Sequence, residues 1–182
     1  ETPAWPEADI GAKNAIETAI TSLSSACQRE RLPDPFSKII DYHAAVFAAE
    51  NSHYYGPFLD NHSELLSEKL RDRLIVSKTT LASEYIAALN ARDKIYHSLE
   101  ALLDDYDAVL CLAATGAAPI GFETTGSAIF NGLWTYLGVP CLSLPLLKTE
   151  KMPLGLQLVG KRGNERKLFE TANWIENHLK AP

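Results

Sequence analysis

Residues 107–160 read DAVLCLAATGAAPIGFETTGSAIFNGLWTYLGVPCLSLPLLKTEKMPLGLQLVG. The stretch opens on Ala108-Val109-Leu110-Cys111-Leu112, an apolar run too short for a helix of its own and bounded by a Gly/Pro loop. Such a run predicts a strand buried on both faces. The loop over 113–123 is built from small residues with Gly116, Pro119 and Gly121, a composition that lets backbone come close to another group. Thr124 or Thr125 is then placed to cap a helix carrying Ile129, Phe130, Leu133, Trp134 and Leu137, with Gly138 just beyond its end. Two further apolar runs, Val139 to Leu147 and Leu154 to Val159, read as buried strands joined by a polar turn at Lys148-Thr149-Glu150-Lys151. The pair from Leu144 to Leu158 has hairpin spacing, which argues against a purely parallel sheet.

Outward from this stretch the period changes to that of helices. Upstream, Ile16, Ile20, Leu23 and Cys27 mark one face of a helix between Asp9 and Arg31, which Pro33 and Pro35 stop. Phe36, Ile39, Ile40, His43, Val46 and Phe47 repeat the spacing in a second helix, expected to end near Tyr54-Tyr55-Gly56-Pro57. Residues 51–73 are polar and irregular and read as loop with one short helix. Ser77 is the expected N-cap of a long helix with the stripe Leu81, Tyr85, Leu89, Ile95 or Tyr96, Leu99 and Leu102-Leu103. Downstream, Asn164 caps a last helix with Leu168, Ala172, Ile175 and Leu179 on one side. Helices followed by strand, helix, strand, strand and helix describe an α/β fold, a mixed β-sheet covered by helices.

Composition narrows the function classes. With 182 residues, 46% of them hydrophobic, the chain can bury one sizeable core. A net charge of −6 leaves no basic surplus for a phosphate backbone, so no nucleic-acid partner is expected. The nearly uncharged span from Ala108 to Leu147 is interrupted by Gly and Pro throughout, so no membrane span is expected either. Cys27, Cys111 and Cys141 form no CxxC pair and have no zinc-like His spacing; reduced thiols and a cytoplasmic protein without metal are the simplest reading.

Quoted in order, Asp107-Ala108-Val109-Leu110, Ala118-Pro119-Ile120-Gly121, Thr125-Gly126-Ser127, Phe130-Asn131, Trp134-Thr135, Gly138-Val139-Pro140-Cys141, Leu144-Pro145 and the run Pro153 to Gly160 form a phrase. It resembles the carboxy-terminal part of the amidase-signature hydrolases. Leu32-Pro33, His43 with Glu50, and Ser83-Glu84-Tyr85 followed by Arg92 extend the likeness more thinly upstream. The chain departs from the family at Leu146-Leu147, where members usually show a glycine after the strand-ending proline.

The resemblance implies the carboxy-terminal part of the amidase-signature fold: one partial domain over 1–182, helical over 1–106 and sheet-forming over 107–182. It implies an amidohydrolase that cleaves carboxamide C–N bonds through a serine acyl-enzyme, with no cofactor. In the family the nucleophilic serine, its bridging serine and the catalytic lysine all precede this region. This chain is therefore expected to lack that triad, to be inactive alone, and to need the amino-terminal half or a self-dimer to cover its sheet edge. Ser24-Ser25, the only adjacent serines, sit in a helical stretch without flanking glycine and are assigned to packing or solvent. The alternative is a non-catalytic binding or assembly module on the same scaffold.

The segment after the first strand is where α/β proteins tend to place ligands. Thr124, Thr125, Ser127, Phe130, Asn131 and Trp134 are therefore the candidates for a wall of the pocket for a small amide substrate, with capping the competing role for the threonines. Gln157, polar within an apolar strand, must find an internal hydrogen bond. His43 reads as a core histidine and Cys111 and Cys141 as small hydrophobes. Gly160-Lys161-Arg162-Gly163 lacks phosphate-loop spacing, and Asp104, Asp105 and Asp107 read as solvent-facing.

Overall fold

A computed structural model describes residues 1–149 and 152–179. Among these described residues six α-helices and three strands follow one another as α1 (Ile10–Leu23), α2 (Ile39–Asn61), α3 (Glu68–Ser77), α4 (Ala82–Asp105), β1 (Val109–Leu112), α5 (Ile129–Leu137), β2 (Cys141–Thr149), β3 (Met152–Val159) and α6 (Glu165–Leu179).

The sheet has the order β1-β3-β2 and both pairings are antiparallel. The α/β class holds, but the described strands contain no parallel pair. Thr149 pairs with Met152, so β2 and β3 form the expected hairpin, and β1 enters on β3's other side. Glu150 and Lys151 of the expected turn lie outside the described residues. At Leu146-Leu147 the chain does not turn: β2 continues through a register shift between Leu144 and Leu147. Pro145 cannot donate to the ladder, and one irregularity absorbs it.

Leu112, Leu156 and Leu158 are fully buried in the sheet. On their side lie α1 and α6. Gly160 packs against Leu168, and a Cβ on Gly11 would lie 2.3 Å from Thr149 Oγ1. On the opposite side α5 lies between the sheet and the helical layer of α2 and α4. It carries Phe130, Leu133, Trp134 and Leu137 into the core, each 1% exposed or less. Gly138 ends it at φ 60°, a left-handed conformation that costs glycine nothing, and its N–H reaches the carbonyls of Thr135 and Trp134. Arg162 Nε donates to the Leu137 carbonyl at 3.0 Å and its guanidinium covers the Tyr96 ring at 3.8 Å, closing the same helix end.

Several helix ends fall elsewhere than the sequence suggests. Asp9 caps α1 by accepting from Ala12 N–H at 2.6 Å. The helix stops at Leu23, short of Arg31, because Ser24 turns to φ 50°. Ser24-Ser25 therefore sit in a short 3-10 turn after the helix, not inside it. α2 runs through Pro57 to Asn61 and packs against α3, with Gly56 buried. Ser77 is the last, buried residue of α3 and caps nothing ahead of it. The long helix instead begins after Leu81, whose N–H donates to Glu84 Oε2 at 3.1 Å. Asn164 leads into α6 as expected, its carbonyl accepting from Leu168 N–H.

Candidate functional site

The end of β1 is tied down at successive residues. Ala113 N–H donates to the Gly155 carbonyl at 3.1 Å, extending the ladder by one bond, while the Ala113 carbonyl accepts from Asn131 Nδ2 at 3.2 Å. Two residues on, the Thr115 carbonyl accepts from Asp9 N–H at 2.8 Å. A Cβ on Gly116 would overlap the Asp9 carboxylate, so only glycine lets the loop lie on that helix cap.

Below this junction runs a polar chain. Gln157 Nε2 donates to Asn131 Oδ1 at 2.8 Å, and the Cys111 thiol donates to Gln157 Oε1 at 3.4 Å. Cys111, Gln157 and Ser143 stand in one row across the three strands. Gly155 beside them has no room for a side chain, since a Cβ there would lie 2.3 Å from Ser143 Oγ. Burial pushes the Cys111 thiol up to about 12, so it stays a neutral donor at ordinary pH. Gln157 is 5% exposed and finds the internal partner its position requires.

The six candidates divide into three groups. Thr124, Thr125 and Ser127 are exposed on the loop ahead of α5. Neither threonine caps the helix: Ala128 holds that place, because the turn closes locally with Thr124 Oγ1 accepting from Gly126 N–H at 3.2 Å. Ser127 Oγ accepts from Ile129 N–H at 3.3 Å. Phe130 and Trp134 are core residues whose rings pack inward, Trp134 against Phe36 with centroids 6.3 Å apart. Asn131 alone links the loop to the sheet, and it spends both ends of its amide doing so.

Its partnership with Gln157 and Cys111 was not evident in the sequence, where nothing local couples positions 26 residues apart. His43 lies half-buried beside α5, where Gly132 leaves room for its ring, and burial lowers its pKa below the usual histidine value. Among the described residues no group of three or more His, Cys, Asp or Glu side chains is placed to hold a metal ion, and no helix is long and apolar enough to cross a membrane.

A second concavity lies along the other side of β1. It is a cleft of about 640 Å³ between β1, α1, the segment 26–32 and α6. Of the six candidates only Phe130 reaches it.

No protein-family model matches the sequence. The fold is that of a solved amidase, which superposes with a TM-score of 0.84 at 23% identity, covering 96% of this chain and 43% of that one. A solved glutamyl-tRNA(Gln) amidotransferase subunit from Thermotoga maritima gives a TM-score of 0.68 at 24% identity, over 97% of this chain and 40% of that one. The chain therefore has an amidase-signature fold and corresponds to the carboxy-terminal portion of such proteins. In sequence it is similar to the corresponding glutamyl-tRNA(Gln) amidotransferase subunit of a Nitratiruptor species, 29% identical over 145 residues. That match takes in 74% of this chain and 33% of the relative, so the chain spans about a third of that protein's length.

Proposed function

We propose that this chain is one partial domain of an amidohydrolase that cleaves carboxamide C–N bonds through a serine acyl-enzyme. Residues 1–106 form its helical layer and 107–182 its sheet-forming part. It supplies scaffold and one pocket wall, while the nucleophilic serine, bridging serine and lysine come from outside these residues. The reading is supported by the ordered phrase from Asp107 to Gly160 and by the likeness to amidotransferase subunits.

The observation that carries it is the anchoring of the β1 end. Asn131, Gly155 and Asp9 fix the first residues of a small-residue loop beyond β1, on which Thr124, Thr125 and Ser127 are exposed. In the complete site those hydroxyls face an amide substrate, while buried Phe130 and Trp134 hold α5 in place from the core. The serine attacks the amide carbonyl, ammonia or amine leaves, and water hydrolyses the acyl ester. The reaction uses no cofactor and no metal, in a cytoplasmic protein with a small-molecule substrate. A transferred amide on a charged RNA, as the relatives' name specifies, is a narrower case.

The test is direct. The purified 182-residue chain is incubated with a chromogenic carboxamide and, separately, with a fluorophosphonate. Neither turnover nor labelling is expected. Turnover abolished by the fluorophosphonate would overturn the assignment of the nucleophile. The full coding sequence is expected to carry a Gly/Ser-rich segment and a lysine upstream; without them the chain becomes a non-catalytic binding or assembly module.

A further inference from the structure

The loop between β1 and α5 holds out two side chains that none of the described residues covers. Ile120 and Phe122 are 104% and 106% exposed, whereas the next large hydrophobic side chain among the described residues reaches 77%. A Cβ on Gly121 between them would meet no atom within 4 Å, so the tip of the loop stands clear of every described helix and strand. Apolar side chains held fully in water mark a surface that is covered in use.

The neck of the loop, by contrast, is closed. The Pro119 ring lies 3.6 Å from where a Cβ on Gly126 would stand, and Gly126 N–H donates to Thr124 Oγ1 at 3.2 Å. Gly121 at φ 94° and Gly126 at φ 84° make the bends, in a region that glycine enters without strain. Residues 119–126 thus form a short arm with a fixed neck and an apolar tip, and its own contacts give it its shape. Thr124 and Thr125 lie on the same arm and Ser127 just beyond it, so an amide that reaches those hydroxyls has the tip within a few residues.

Charge selects the occupant. From Ala113 to Ala128 the only charged side chain is Glu123. A carboxylate brought to this wall would lose water and meet an acid with no base beside it. An alkyl chain or aromatic ring would instead release water from Ile120 and Phe122. We infer that these two side chains set the substrate class: an uncharged carboxamide with an apolar alkyl or aryl group held against them, in preference to a carboxylate-bearing amide such as glutamine. The inference rests on the reading of the chain as part of an amidohydrolase. The other candidate cover for the tip is the rest of the domain, and chymotrypsin separates the two.

Chymotrypsin cleaves after aromatic residues in exposed loops. It is expected to cut the 182-residue chain after Phe122, and to cut the substrate-free full-length enzyme there as well. Saturating hexanamide should slow cleavage of the full-length enzyme about ten-fold over times short against its turnover, and glutamine at the same concentration should not. In steady-state hydrolysis hexanamide should exceed glutamine about ten-fold or more in kcat/KM. Phe122→Ala should lower kcat/KM for hexanamide about ten-fold, mainly by raising KM, with a loss that shrinks through butanamide to acetamide. Phe122→Leu should retain most of the preference, and neither change should alter the circular dichroism. N-hexylacetamide assigns the apolar group to the acyl or the amine side; preference for either hexyl amide over glutamine supports the proposal.

A full-length enzyme that resists cleavage after Phe122 without substrate, while the 182-residue chain is cut, would give the tip to the rest of the domain and overturn the proposal. So would a preference for glutamine over both hexyl amides, or a loss in Phe122→Ala that is the same for hexanamide and acetamide. Those outcomes leave amide hydrolysis itself in place. If no carboxamide is turned over while hexanamide still protects the bond after Phe122, the amidohydrolase reading falls and the apolar-amide site stands.

Discussion

β1 and β2 are the two edges of one three-stranded sheet, and they are finished differently. β2 carries Pro145, a register shift between Leu144 and Leu147, and exposed Lys148. Each disfavours another strand: a missing donor, a bent ladder and a charge that would have to be desolvated. β1 has four apolar residues, a regular register and an apolar cleft alongside. One sheet thus has an edge marked by proline and lysine and an edge set among apolar residues. The difference is written in side chains, not in strand length, since the shorter strand is the unprotected one.

The largest effect that tests the contrast is on stability. Leu112 of β1 is fully buried, whereas Leu146 sits half-buried in the irregular part of β2. Leu112→Ala is expected to cost about 2–5 kcal/mol, the range for leaving a cavity at a tightly packed site. Leu146→Ala should cost roughly half of that or less, since less of its surface leaves water on folding. Urea denaturation monitored by tryptophan fluorescence gives both numbers. Equal losses would mean that β1 is no more integral to the core than the protected edge.

How much of this was legible in the sequence depends on how local each signal is. The apolar run of β1, the Gly138 stop and the hairpin follow from periodicity and turn chemistry within a few residues. Helix starts were harder. Ser77 is a good cap by type, yet the packing of α3 buries it, and the Glu84 side chain serves Leu81 instead. Pro57 reads as a stop because the contacts that carry α2 past it lie on another helix.

The site was legible as a region and not as a mechanism of support. The loop's small residues and hydroxyls announce it, but Phe130 and Trp134 belong to the core beneath. The Asn131–Gln157 bond depends on how α5 lies over the sheet. The apolar character of β1 is legible in composition; the charged residues around its cleft come from positions scattered between Glu1 and Glu170.

A second, smaller contrast concerns the cysteines. Cys111 on β1 is buried, and its thiol is pushed up to about 12, while Cys141 on β2 is exposed, although partial desolvation still raises its thiol to about 11. Below about pH 9 the Cys111 thiol is protonated in both folded and unfolded chains, and its contribution to stability is complete. Between about 9 and about 12 the unfolded chain gives up a proton that the folded chain keeps. Stability therefore falls as pH rises, by up to about 1.4 kcal/mol per unit from this group. Cys111→Val should make the urea midpoint shallower against pH between about 9 and about 10. Iodoacetamide at about pH 8 should label Cys141 first and Cys111 only on unfolding. Labelling in the reverse order would show that the Cys111 face of the sheet is not packed as described.

The smallest expected change in stability carries the sharpest test of the β2 edge. Pro145 is exposed, so Pro145→Thr removes no core contact, and Lys148→Val removes a solvated charge. Together they should shift the denaturation midpoint by an amount equivalent to about 0.5 kcal/mol or less. They also restore a backbone donor and remove the cost of burying an ammonium group. If proline and lysine are what keep β2 single, the double variant should self-associate in sedimentation velocity where the parent does not. Pro145→Thr alone should have an intermediate effect, because Lys148 still resists desolvation. A double variant that sediments like the parent would show that the register shift alone protects β2. The two edges would then differ in backbone geometry and not in side-chain chemistry.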